Sequence, residues 1–251
     1  DIDITAADKK LTVVLTDSIE SGKMELDALK RDINIDTNKI AEYELLKDKD
    51  EINIVYLGGS VTQGAAASSE DKCWASLVTD GLRERLPGKT INYFNEGIGG
   101  TASDYGLFRL REDVISHNPD IVFIEFAVND EMLSEPVVQK RMEGIVRKLR
   151  ELPEPPIVTY VYTTGTWGNS SSRHTPIAQN YGIGQIDLKA VVDYVMTNGG
   201  AWNEYFADGV HPNDKGYKLY ADNVLYSISN FPEKYLRVPE AAEPVYSDWY
   251  N

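Results

Sequence analysis

From residue 52 onward, apolar and polar positions follow two alternating rhythms. Runs rich in β-branched and aromatic residues at 52–57, 90–94, 121–126 and 157–162 have the nearly continuous apolar character of strands buried on both faces, and a weaker fifth run lies at 184–188. Between them, at 72–86, 103–117, 137–152 and 188–197, apolar residues recur with helical period, and a last such stretch covers 213–229. Strands alternating with helices predict βαβ units, hence an α/β fold: a three-layer α/β/α sandwich around a five-stranded parallel sheet. The rhythm defines a main domain over 51–232. Residues 1–50, with one alternating run at 11–15 and a charged stretch at 25–47, read as an N-terminal extension. Residues 233–251 carry Pro239, Pro244, Tyr246, Trp249 and Tyr250, and read either as a linker to a further domain or as a strand docked on the body.

Composition narrows the partners. Forty acidic residues against 25 basic ones leave a net charge of -15, which opposes nucleic acid and anionic lipid because phosphate recognition needs clustered Lys and Arg. No apolar run approaches the roughly 20 residues of a membrane span, so insertion is not expected. The single cysteine, Cys73, cannot form an intrachain disulfide and lies on the apolar side of a helical stretch as a core residue. No Cys/His cluster has zinc-site spacing, and neither a metal nor an organic cofactor is expected.

In a parallel sheet of this kind, ligands gather at the carboxyl ends of the strands. Four polar segments fall there or lead into the last helix: Gly58-Gly59-Ser60-Val61-Thr62-Gln63-Gly64, Asn95-Glu96-Gly97-Ile98-Gly99-Gly100, Ala127-Val128-Asn129-Asp130 and Asp208-Gly209-Val210-His211. Ser60 follows two glycines at a strand end, where a hydroxyl can project. A serine is a weak nucleophile until a base takes its proton. Asp208 and His211, three residues apart, can place a carboxylate against imidazole Nδ1 while Nε2 faces the serine. Two rival readings of the glycine-rich turn fail. A phosphate-binding P-loop would need Lys and Ser/Thr where Ala65 and Ala66 stand, and the G-x-S-x-G nucleophile elbow is broken by Thr62.

In order and spelling, the four segments resemble those of the SGNH (GDSL-like) hydrolase family, over about residues 52 to 230. The resemblance implies a flavodoxin-like sandwich, a Ser60-His211-Asp208 triad, and an oxyanion hole formed by the backbone N–H of Ser60, the backbone N–H of Gly100 and the side-chain amide of Asn129. Gly99 is the alternative to Gly100, since the block carries consecutive glycines. The chain departs from the family spelling twice, with Gly59 where the name has Asp and Ala127 where G-x-N-D begins with Gly. The longer spellings look most like the bacterial carbohydrate-esterase branch, which implies removal of acetyl groups from a polysaccharide such as xylan by a secreted or cell-surface enzyme. A lipid or thioester hydrolase and a sugar O-acetyltransferase are the alternative activities; a non-catalytic glycan-binding module is disfavoured by the presence of Ser60, Asp208 and His211 together. Trp167, His174 and Trp202 are expected to contact substrate, His174 because it lies in a Gly/Ser-rich stretch, 163–176, that should form the rim of the site.

Overall fold

In the computed structural model, residues 46, 48–230 and 242–246 are described. Most of the expected N-terminal extension, and residues 231–241 and 247–251, lie outside the described residues. The sheet has the order β2-β1-β3-β4-β5, and every neighbouring pair is parallel. Its strands are β1 (Glu51–Gly58), β2 (Thr90–Gly97), β3 (Ile121–Glu125), β4 (Ile157–Tyr162) and β5 (Gly184–Asp187). A four-residue helix α1 (Ser60–Gln63) follows β1. The crossovers are α2 (Trp74–Arg85), α3 (Ser103–Asp113), α4 (Glu135–Arg150) and α5 (Ser171–Asn180). Helices α6 (Leu188–Thr197), α7 (Trp202–Tyr205) and α8 (Asp214–Asn230) complete the chain order.

Side chains alternate across a strand, so each buried strand feeds two cores. Ile52, Ile54 and Tyr56 of β1, with Ile121 and Phe123 of β3, pack under α2, α6 and α8. Val55 and Leu57, with Val122 and Ile124, pack under α3, α4 and α5. Tyr56 stacks on Phe123 (5.1 Å between centroids) and meets Trp74 edge-on, while its hydroxyl shares a hydrogen bond with Thr79. Burial on both sides accounts for the apolar runs of β1, β3 and β4, whereas β2, at the sheet edge, buries only Ile91 fully.

Helix α5 was not expected. Pro176 inside it has no N–H to give the preceding turn, and the serines at its start read as loop. The helix forms because His174, Ile177 and Ala178 make a buried stripe against the sheet, which outweighs the lost bond. At the other end, residues 242–246 dock on α4 in an irregular conformation: Glu143 accepts the Val245 and Tyr246 N–H groups at 2.6 and 2.8 Å.

Candidate active site

The strand order reverses between β1 and β3, and the crevice at their carboxyl ends is the switch point of the sheet. Ser60 opens α1 immediately after β1; Asn129 opens a 3₁₀ turn, Asn129–Met132, just beyond β3. The His211 imidazole reaches this crevice from the loop before α8. Its Nε2 lies 2.9 Å from Ser60 Oγ, and Nδ1 lies 2.7 Å from Asp208 Oδ2. Asp208 Oδ1 accepts the backbone N–H groups of Val210 and His211, both at 2.8 Å, so one carboxylate folds the loop and orients the ring. The His211 hydrogen bond, then the backbone donors, pull the Asp208 carboxyl down to about 2. A hydroxyl, imidazole and carboxylate in this order form a relay able to raise the nucleophilicity of the hydroxyl.

The segments around the relay are tied to one another. The Asn95 amide donates to Thr62 O at 2.9 Å and accepts the Gly97 N–H at 3.0 Å, binding the loop after β2 to α1. The buried Arg109 guanidinium donates to Gly58 O and Glu96 O, the ends of β1 and β2. Gly100 lies beyond this clamp with φ +73°, a left-handed conformation that suits glycine. The two departures from the family spelling are explained locally. Ala127 is buried and avoids the left-handed region, and its carbonyl accepts both the N–H and the hydroxyl of Ser170. A Cβ on Gly59 would sit 2.6 Å from Asn129 Oδ1, so any side chain there displaces the Asn129 amide. Gly59→Ala is therefore expected to lower kcat roughly tenfold while leaving KM and Tm nearly unchanged, because it shifts the amide without opening the core; steady-state kinetics with a melting curve checks this.

Of the expected substrate residues, Trp167 and Trp202 lie against the Asp208-His211 loop, and His174 does not reach the surface. Trp167 is 58% exposed, and its ring edge stands 3.5 Å from where a Gly209 Cβ would be, beside the His211 loop. His174 corrects the expectation: carried inward by α5, it is 1% exposed, packs edge-on to Tyr160 and Tyr162, and its Nε2 hydrogen-bonds Asp130 Oδ2 at 2.8 Å. It does not form part of the rim. Trp202 stacks its ring on Phe206 at 3.9 Å and donates its indole N–H to Asp208 O at 2.6 Å, bracing the loop that carries His211. Asp130, to which the sequence pattern assigns no role, is buried, and its carboxyl also accepts the Ser103 N–H at 2.9 Å and so pins the start of α3 to the Asn129 turn. Its signal was the acidic letter that closes the third segment. Cys73 is buried, as expected.

Fold and site together define an ester hydrolase of the SGNH class. The chain belongs to the GDSL-like lipase/acylhydrolase family, which matches residues 56–219. It is similar to an arylesterase of Vibrio mimicus, with 35% identity over 183 residues that cover 70% of this chain and 87% of the other. Among solved structures it is similar to a two-domain esterase active on acetylated mannans, with a TM-score of 0.74 and 29% identity. That match covers 84% of this chain but only 57% of the two-domain protein. A catalytic mutant of Axe2, an acetylxylan esterase from Geobacillus stearothermophilus, shares the fold with a TM-score of 0.62 and 18% identity, over 72% of this chain and 95% of the other.

Proposed function

We propose that this enzyme is a serine esterase that removes acetyl groups from a neutral polysaccharide. The observation that carries the reading is the Ser60-His211-Asp208 relay, with 2.9 and 2.7 Å links. In the proposed reaction His211 Nε2 takes the Ser60 proton as Oγ attacks the ester carbonyl, and the Asp208 carboxylate stabilises the imidazolium that forms. The tetrahedral oxyanion is held by the N–H groups of Ser60 and Gly100 and by the Asn129 amide. Asn129 is suited to this, since its side-chain NH₂ is a neutral donor that can meet charge developing only in the transition state. His211 then protonates the leaving alcohol, and water hydrolyses the acyl-enzyme by the reverse proton transfers.

Three features support a glycan as the alcohol. Trp167 offers an exposed aromatic face beside the His211 loop, suited to the apolar face of a sugar ring. The net charge of -15 disfavours polyanionic substrates. A relative at 29% identity is described as active on acetylated mannans. A polymeric substrate of this kind is met outside the cell, which agrees with the expectation of a secreted or cell-surface enzyme.

The test is hydrolysis of p-nitrophenyl acetate, butyrate and octanoate, alongside acetate release from acetylated xylan and acetylated mannan. Turnover should be selective for acetate, with release from at least one polymer; preference for octanoate would assign a lipid hydrolase instead. Trp167→Ala should raise KM for the acetylated polymer roughly tenfold and leave p-nitrophenyl acetate turnover nearly unchanged, because the ring contributes binding without touching the reacting carbonyl.

A further inference from the structure

Among the buried carboxyls that take no part in this chemistry, Glu125 lies directly beneath the serine turn. Glu125 ends β3 with no exposed surface, at the register position paired with Gly58. Thr62, in α1, donates its hydroxyl to Oε2 at 2.9 Å; Thr163, just past β4, donates to Oε1 at 2.6 Å. The Gly59 backbone also favours the charged carboxyl electrostatically. Thr62 lies two residues beyond Ser60 in the same short helix. Thr163 begins the segment in which the Thr166 N–H donates to Gly209 O at 2.8 Å, in the Asp208-His211 loop. A single group therefore joins the turn that carries the hydroxyl to the segment that braces the loop carrying the imidazole.

We infer that Glu125 is a positioning residue for this esterase, setting the Ser60–His211 separation from beneath the serine turn. It contacts neither reacting group, and the inference rests on the proposed roles of Ser60 and His211. The apolar surroundings make the carboxyl costly to ionise: burial pushes it up to about 7 against the pull of the Thr163 and Thr62 hydroxyls and the Gly59 backbone, and Asp130 pushes in the same direction as burial. The Tyr217 and Tyr220 phenols on α8 also face it electrostatically. A carboxyl raised from 4.5 binds its proton more tightly folded than unfolded, so its contribution to stability declines as pH rises from about 4.5 through 7. The ionised form accepts both threonine hydroxyls at once, one on each oxygen, whereas the neutral acid must turn one of its oxygens into a donor.

The experiment compares wild type, Glu125→Gln, Thr163→Val and Ser60→Ala at pH 8, by kcat and KM on p-nitrophenyl acetate, the rate of covalent labelling by an organophosphate, and Tm. Glu125→Gln should hold or raise Tm, lower kcat roughly tenfold to a hundredfold, slow labelling by a similar factor and leave KM within about twofold, the pattern of a misplaced reacting pair. Thr163→Val, which cuts only the link toward the His211 loop, should give a smaller loss of the same kind. Wild-type kcat and labelling in Glu125→Gln overturn the inference, as does a loss of kcat that disappears on correction for folded fraction. Should Glu125→Gln fail to fold, Thr163→Val decides by the same criteria. Activity retained by Ser60→Ala overturns the proposed function itself, whereas an inactive Ser60→Ala beside a fully active Glu125→Gln overturns the positioning role alone.

Discussion

Ser60→Ala is expected to lower kcat for p-nitrophenyl acetate by roughly 10⁶-fold, to a residue of catalysis that the oxyanion donors still supply. The substitution removes one oxygen from a partly exposed site and leaves a helix former at the first position of α1, so Tm should barely move. The backbone N–H of residue 60 survives, as do Gly100 and Asn129. What disappears is the atom 2.9 Å from His211 Nε2, the nucleophile of the proposed reaction. The organophosphate should label wild type with one equivalent and the variant not at all. A Ser60→Ala variant that hydrolyses ester at the wild-type rate would sink the mechanism.

Asp208→Asn should cost roughly 10⁴-fold in kcat with the backbone of the loop intact. The asparagine oxygen can still accept the N–H groups of Val210 and His211, which Oδ1 accepts in the wild type. Its NH₂ then faces His211 Nδ1 where Oδ2 lay at 2.7 Å, and the imidazole must turn to the tautomer with its proton on Nε2. That proton points at Ser60, so the ring can no longer accept one. The pH dependence follows from the depressed Asp208 carboxyl. Its stabilisation is complete above the ordinary value of 3.8 and is lost as pH falls through about 2, so Asp208 stays ionised across any assay above about pH 4. A kcat profile from about pH 4 to 9 should therefore contain no titration from Asp208. Because the Asp208 side chain is 54% exposed, solvent screens the pair, and Asp208→Asn should shift Tm only slightly.

The layers were legible because their signal is local. Strand β4 and helix α6 begin and end where the apolar pattern places them, at 157–162 and 188–197. The Asp208-to-His211 spacing was equally informative, since three residues suffice to close the carboxylate onto its own loop and the ring. Helix α5 was hidden by Pro176 and its serines, local penalties that a buried stripe overrides only once the sheet is present to pack against. The same oversight put His174 on the rim: with α5 read as loop, nothing in the sequence could turn the ring inward toward Asp130. Glu125 left a faint mark, one acidic letter closing an apolar strand, but its partners come from residues 62 and 163.

Sequence by itself determined the α/β alternation, the family spelling and the identity of the Ser60, Asp208 and His211 groups, because strand and helix periodicity and short turns depend on neighbours within a few residues. Tertiary structure alone decided that Ser60 and His211, 151 positions apart, stand at hydrogen-bonding distance, that Asn129 occupies the space Gly59 leaves open, and which aromatic and acidic side chains face the crevice or the core. Such pairings depend on the order in which the parallel strands are laid together, and residues far apart in the chain are brought to one edge only when the whole sheet closes.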